Sequence, residues 1–488
     1  MRHSGWRHNY VARRTGGLAA GAFVFLAGCQ QYERQPLDLA AHRSALHERN
    51  VEVGRIQDFL ERLRGLGSEA PDTFSFDDGL TPAEGEVLAL FYNAGLRQAR
   101  LEAGVALATF ETAGLWDDPE FGFDAAEILS PSGSPFEFGL TLSLTIPISG
   151  RLEVEKARAG TAYEAELRRI VDLEWAIRSD VRRAWAAWTE AEERLQLTRN
   201  VVVQVERIVA LTERLVAGGE LSRVDGRLFL VELASRRAAV AESELQARRA
   251  EVHLLGLMGL LPDAEVKLTP AFPRSDVPAT DDSINWLIAA NTELAVRRAE
   301  YQVAEESVRL EIRKQYPDIT IGSGYGSEDN DDRLLLGFSI PIPILNANRA
   351  GIAEARAERQ VVRAAAETTF ERLCRELALA QAELDAATTQ RQRYESEIVP
   401  MLDDEATEVE EIAGLGEVDT LLLLTTVQAQ FDGKSRLLEL RRLELDASVT
   451  ITQLLGPDTP VEPAPVVDHN NKNVATAEDA SSGVGGER

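Results

Sequence analysis

The chain is written twice, and no other feature constrains its fold as much. Asn93, Leu96, Arg100, Glu102, Val105, Ala106 and Pro119 return 198 positions later as Asn291, Leu294, Arg298, Glu300, Val303, Ala304 and Pro317. Ile146-Pro147-Ile148 returns as Ile340-Pro341-Ile342, and Val224-Asp225 as Val418-Asp419, both at a spacing of 194. Solenoid repeats run to about 50 residues at most, so each copy must be a unit of several elements. Two such units fill most of the 488 residues.

Each copy carries the same signals in the same order. An Ala-, Leu-, Glu- and Arg-rich stretch (about 83–114 and 282–315) predicts a helix, which leads through a proline into a short β-rich pair. A very long helix, a Gly-containing turn and a second helix follow (about 221–258 and 417–455). Thr161 to Ala217 holds neither Gly nor Pro over 57 residues, which as helix reaches roughly 85 Å. Its seam runs through Ile177, Val181, Ala184, Trp188, Ala191, Leu195, Thr198, Val202, Val205, Val209, Thr212 and Val216. That alternation of four and three is a coiled-coil period. The second copy predicts a like helix from Ile352 to Val399, with Pro400 expected to break its hydrogen-bond ladder.

The β pairs have a period of two. Phe136, Phe138, Leu140, Leu142, Leu144 and Ile146 alternate with Glu137, Gly139, Thr141, Ser143 and Thr145, a length and pattern that suit a membrane strand with lipid on one face and water on the other. Its expected partner is Glu120 to Glu127, with Phe121 and Phe123 on one face. In the second copy, Ile319, Ile321 and Tyr325 mark one strand, and Leu334, Leu336, Phe338 and Ile340 the other. The polar stretches Ser130–Pro135 and Ser327–Asp332 read as loops in water. Amphipathic hairpins packed on helices in a soluble protein would show the same alternation.

The N-terminus, together with the repeat, decides between these readings. Arg2, Arg7, Arg13 and Arg14 precede an apolar run from Leu18 to Leu26, which reads as a secretory signal. It ends in Leu26-Ala27-Gly28-Cys29, which resembles the bacterial lipobox and implies lipidation at Cys29; Gln30 implies sorting to the outer membrane. Beyond Cys29 no apolar run approaches 18 residues, so any bilayer crossing must be made by β-strands. Four strands cannot close a barrel and lipid does not tolerate open edges, so several chains must contribute. Two would give about eight strands with a filled interior; three give twelve, which can leave a pore.

In order and spacing, the lipobox, the duplicated unit with Pro147 and Pro341, the turns Gly218-Gly219 and Gly414-Leu415-Gly416, and the ends Leu257-Met258-Gly259 and Leu454-Leu455-Gly456 resemble the TolC-like outer-membrane factors, the outer membrane efflux protein family. The resemblance implies a mainly α fold with a membrane β-barrel portion: a homotrimeric twelve-stranded barrel, four strands per chain, continuous with a long periplasmic α-helical barrel. It also implies partners, namely a periplasmic adaptor and an inner-membrane pump of the resistance-nodulation-division class. Asp118-Pro119-Glu120-Phe121 and the run from Ile340 to Arg349 resemble the heavy-metal (cobalt, zinc, cadmium) branch, from which Ser149-Gly150 departs. The expected function is a passive exit duct with divalent metal cations as favoured cargo. Multidrug efflux, type I secretion and a non-transporting coiled-coil lipoprotein scaffold are the alternatives.

The expected segments are a signal peptide (1–28), an anchor and equatorial segment (29–80), the two repeats (81–260 and 282–456) joined by a linker (261–281), and a disordered acidic tail (457–488). Val51, Ile56, Phe59, Leu60 and Leu63 suggest a short helix within the anchor segment.

Residue chemistry argues against other classes. Eighty acids face 52 Lys and Arg, a formal charge of −28, the wrong sign for generic nucleic-acid binding. Two Cys and six His, scattered, give no catalytic, cofactor or metal constellation. The densest charge feature is Asp403, Asp404, Glu405, Glu408, Glu410, Glu411, Glu417 and Asp419, with no Lys or Arg between Pro400 and Thr420. These acids read either as a solvated helix end or, with the Gly turns at the periplasmic tip as the resemblance implies, as a gate ring in triplicate that attracts cations. Asp403, Asp404, Glu408, Glu411, Glu417 and Asp419 are its candidates, with Arg214 and Arg223 as closing partners.

Overall fold

The computed structural model describes residues 32–49, 53–65, 70–127, 136–273, 277, 282–328, 331–414 and 420–457. The signal segment, Cys29, the 130–135 loop, Leu415 to Asp419 and the tail after Pro457 lie outside them. Residues up to Glu48 form a unit of their own. Its helix α1 (Leu39–His47) starts where the Asp38 carboxylate accepts from the Ala40 and Ala41 backbone N–H groups at 3.0 and 2.9 Å.

The second unit begins at Arg49. Helix α2 (Val53–Gly65) buries Ile56, Phe59, Leu60 and Leu63 of the predicted stripe, whose first member, Val51, lies outside the described residues, and Phe59 meets Phe91 at 5.3 Å between ring centroids. The first repeat then reads α3 (Pro82–Tyr92), α4 (Ala94–Thr112), β1 (Glu120–Glu127), β2 (Phe136–Ile146), α5 (Arg151–Gly218) and α6 (Arg223–Leu257). The second reads α7 (Ser283–Ala290), α8 (Thr292–Arg313), β3 (Ile319–Glu328), β4 (Asp331–Ser339), α9 (Arg349–Arg393), a π turn (Tyr394–Ile398), α10 (Val399–Gly414) and α11 (Thr420–Leu455).

Helix α5 has 68 residues, roughly 100 Å, and exceeds the predicted stretch at both ends. Nine seam residues, from Ile177 to Thr212, are buried, and Ala191, Val202 and Val216 are half-buried. One core gathers α2, α3, α4, the middle of α5 and the end of α6 around Trp185, Phe91 and Leu254. Within it Glu86 accepts from Arg182 at 2.6 Å and Arg178 at 3.3 Å, and Arg100 pairs with Glu174 at 2.9 Å. A second core at the far end joins α5, α6, α10 and α11 through Val205, Val209, Phe229, Val409, Leu423 and Val427. The linker after the first repeat is tied down at two points: Trp185 Nε1 donates to the Thr269 carbonyl at 3.1 Å, and Leu268 pairs in parallel with Leu80.

Three expectations change. The predicted helices 83–114 and 282–315 each break in two, at Asn93 and Asn291. There an extended ψ ends one helix while the side chain accepts from the N–H of Leu96 or Leu294 to begin the next. Pro400 does not end the long helix of the second repeat. The turn before it widens, with Val399 N–H donating to Tyr394 O, five residues back, and the helix continues to Gly414. The loop expected at Ser327–Asp332 is largely strand: Ser327 pairs with Asp332, and Glu328 with Asp331.

Candidate functional site: an open sheet and an acidic tip

The four strands form one antiparallel sheet in the order β1-β2-β3-β4. Directly opposed residues share a face, so the register decides whether the two copies agree. Phe121, Phe123 and Ala125 oppose Leu142, Leu140 and Phe138; Leu140, Leu144 and Ile146 oppose Tyr325, Ile321 and Ile319; Tyr325, Ser323 and Ile321 oppose Leu334, Leu336 and Phe338. All of these lie on one face, which is apolar except at Ser323. The other face carries Asp124, Glu137, Thr141, Ser143, Thr145, Thr320, Arg333 and six glycines, with Ala126 and Leu335 its apolar exceptions.

That apolar face is uncovered. Phe121, Phe123, Leu334, Leu336 and Phe338 are all exposed, which a soluble protein avoids. Strands β1 and β4 are both edges with unpaired backbone groups.

Below the sheet a polar knot joins the repeats. Arg151, the first residue of α5, donates to Asp318 at 2.7 Å and to Asp117 at 2.9 Å, and Ser149 N–H donates to Asp318 at 3.1 Å. Burial pushes the Asp318 carboxyl up, but the bonds from Arg151 and Ser149 outweigh it and hold the group below its usual range. Gly150 caps α5 at φ 69, a left-handed conformation that suits a residue without Cβ. Asp318 follows Pro317 in the repeat, but no spacing rule pairs it with Arg151, and the sequence reading missed it.

At the other end, α5 stops at Gly218, and Gly219 (φ 81) returns its N–H to the Val216 carbonyl at 3.2 Å. Ser222 then caps α6 by accepting from Asp225 N–H at 3.1 Å. Gly414 ends α10; Gly416, Glu417 and Asp419 lie outside the described residues. The end of α10 and the start of α11, which flank that second turn, pack through Val409 and Leu423 into the same far core that α5 and α6 enter beside the first turn.

The acids divide. Asp404, Glu408 and Glu411 are exposed. Asp403 turns toward α11, where Lys434 Nζ lies 2.8 Å and Gln430 Nε2 2.6 Å from its carboxylate. Burial raises its pKa, but these two partners more than compensate and hold it below the usual range. Lys434 lies outside the acidic run, which is why the sequence reading did not connect the two. Arg214 donates to the Ala210 carbonyl of its own helix at 3.2 Å, and among the described residues neither it nor Arg223 forms an ion pair. Among the same residues no three His, Cys, Asp or Glu side chains group as a metal site, and no helix is long and apolar enough to cross a membrane.

Residues 87–260 match the family described as outer membrane efflux protein. The chain is 24% identical over 325 residues to the cobalt-zinc-cadmium resistance protein CzcC of Cupriavidus metallidurans, covering 64% of this chain and 76% of that protein. It has the fold of a membrane protein from Pseudomonas aeruginosa (TM-score 0.68, 19% identity, 80% of this chain and 96% of that one). It also has the fold of CusC, whose crystal structures concern transmembrane channel formation (TM-score 0.67, 18% identity, 80% and 94%).

Proposed function

We propose that this chain, a member of the outer membrane efflux protein family through residues 87–260 and a passive channel component rather than an enzyme, is the outer-membrane exit duct of a tripartite efflux system. The observation that carries the reading is the four-stranded sheet, apolar and uncovered on one face, polar and glycine-rich on the other, and open at both edges. Joining β4 of one copy to β1 of the next removes every edge, and three copies make twelve strands with a polar lumen. Glycines on the concave side leave room for curvature. Helices α5 and α9–α10, continued from the sheet, would carry the lumen away from the membrane by roughly 100 Å.

Lipidation at Cys29 would anchor each copy to the same membrane. The duct has no energy source of its own, so an inner-membrane pump of the resistance-nodulation-division class and a periplasmic adaptor supply drive and continuity. Exposed Val224, Leu228, Val231 and Leu421 near the tip offer the adaptor an apolar surface. Divalent metal cations are the favoured cargo, supported by the likeness to a cobalt-zinc-cadmium resistance protein. The acids beside the tip turns act as a cation-attracting gate.

Purified protein in a planar bilayer should give discrete conductance steps and cross-link as a trimer. Absence of any channel at any voltage would leave only a scaffold role. A deletion strain should lose tolerance to zinc, cobalt or cadmium; unchanged metal tolerance with raised dye sensitivity would overturn the cargo assignment.

A further inference from the structure

At the rim where the sheet meets the helices, the chain exposes more apolar surface than the strands account for. Along β4 the side chains of the apolar face are Leu334, Leu336 and Phe338. The last ladder pair is Ser339 with Thr320, yet the alternation continues through Ile340, Ile342 and Ile344. Ile342 is 74% exposed, Ile344 78% and the adjoining Leu345 91%.

Comparing the repeats shows this to be an addition. Pro147 and Pro341 are 194 apart, whereas Arg151 and Arg349, which begin α5 and α9, are 198 apart. The second repeat therefore holds four extra residues between the strand and the helix, a stretch that includes Pro343, Ile344 and Leu345. A surface loop in water would be expected to gain polar residues, not these.

The segment is held in place. Ile344 N–H donates to the Ile342 carbonyl at 2.9 Å, Pro341 and Pro343 fix their own φ, and Asn348 donates to the Glu311 backbone and side chain at 2.8 and 2.7 Å. The rest of the rim matches it: Leu115 and Trp116 before β1, Ile148 after β2 and Tyr316 before β3 are exposed. Arg313 at the end of α8 and Arg349 at the start of α9 are exposed at the same level, and among the described residues neither forms an ion pair. Trp and Tyr favour the membrane–water boundary, and a guanidinium suits lipid phosphate.

We propose that Pro341–Leu345, with Leu115, Trp116, Ile148 and Tyr316, forms a collar that inserts into the interfacial zone of the phospholipid leaflet on the helix side of the membrane. This rests on the sheet being a membrane barrel. The added residues follow directly from the apolar-faced strand β4 and are exposed at Ile342, Ile344 and Leu345, and a copy-to-copy contact through strand edges would not need them.

The test uses the full chain with Cys374→Ser and one added cysteine, Ile344→Cys, Phe338→Cys or Val361→Cys, carrying an environment-sensitive fluorophore. The chain without an added cysteine is the blank. Each is reconstituted in phosphatidylethanolamine–phosphatidylglycerol vesicles containing lipids brominated on their acyl chains near the headgroup. Quenching of at least twofold is expected at Ile344 and Phe338, and none at Val361. Quenching at Phe338 without Ile344 overturns the collar and leaves the barrel standing. No quenching at either overturns the barrel reading and the collar with it. An Ile344 probe that becomes quenchable only when the oligomer is dissociated identifies a contact with a second copy, and also overturns the proposal.

Discussion

Asn93 donates its side-chain amide to the Leu257 carbonyl at 3.3 Å, and Asn291 makes the same bond to Leu454 at 2.8 Å. Each Asn also caps the following helix, so one residue starts a helix and binds the end of another more than 160 positions away. The glycines close by complete the joint. Gly259 has φ 71 and a Cβ there would lie 2.6 Å from the Tyr92 carbonyl oxygen; Gly456, at φ 81, faces the Ala290 carbonyl in the same way.

Asn93→Ala and Asn291→Ala each remove a cap and leave a carbonyl short of its donor. Each should cost about 2 kcal/mol or more, seen as a lower thermal midpoint in detergent. Gly259→Ala should cost more than Asn93→Ala, because neither the backbone conformation nor the carbonyl can yield easily. An equal or smaller effect would mean that the joint is looser than its geometry.

Two acids should give pH responses of opposite sign. Asp318 is held below its ordinary value near 3.8, so its contribution is complete above that pH and is lost as pH falls through the depressed value. Asp318→Asn should remove about 1.5–3 kcal/mol at neutral pH and flatten the acid limb. Asp172 is raised, first by burial and also by Glu293, against the Thr292 hydroxyl bond at 2.6 Å and Arg297. It disfavours the fold while charged, so stability should rise as pH falls through the raised value and level off near 3.8. Asp172→Asn should abolish that rise. Denaturation midpoints at stepped pH separate the two.

For the tip, neutralising Asp404, Glu408 and Glu411 should reduce cation selectivity, read as a smaller reversal potential in a salt gradient. Asp403→Asn should act differently: it frees Lys434 and weakens the contact of α10 with α11, altering closed-state conductance more than selectivity. Arg214→Ala and Arg223→Ala should loosen closure. An unchanged reversal potential in the triple variant would reduce the exposed acids to a solvated face.

Much of the architecture was legible because its periods are long or regular. The seam from Ile177 to Val216 follows a four-three alternation, and β1 and β2 match the predicted spans, since strand and helix periods reveal themselves locally. The breaks at Asn93 and Asn291 were hidden because an Asn inside a helical stretch is only mildly unfavourable until its distant carbonyl partner is known. Arg151 with Asp318 and Asp403 with Lys434 are tertiary pairs in a chain with 27% charged residues, where sequence offers too many candidates. The return of Leu257-Met258-Gly259 as Leu454-Leu455-Gly456, and of Asn93 as Asn291, was the available sign that they meet.

The π turn at Tyr394–Ile398 has a consequence for the acids beyond it, because it works as a frameshift in the helix. Up to that point the inward positions follow the rhythm Leu373, Leu377, Ala380, Leu384, Ala387, Arg391, Tyr394 and Ile398. Continued unchanged, the rhythm would next turn Met401, Glu405 and Glu408 into the bundle. The extra residue in the wide turn moves the inward set one place along, to Leu402, Ala406 and Val409, while Met401, Glu405 and Glu408 are exposed. Deleting Ser396 together with Pro400→Ala should therefore leave the assembled protein intact, whereas deleting Ala382 should rotate everything after it by about 100° and drive carboxylates into apolar packing. The insertion that spoils the heptad count is what keeps the negative charge of α10 outside.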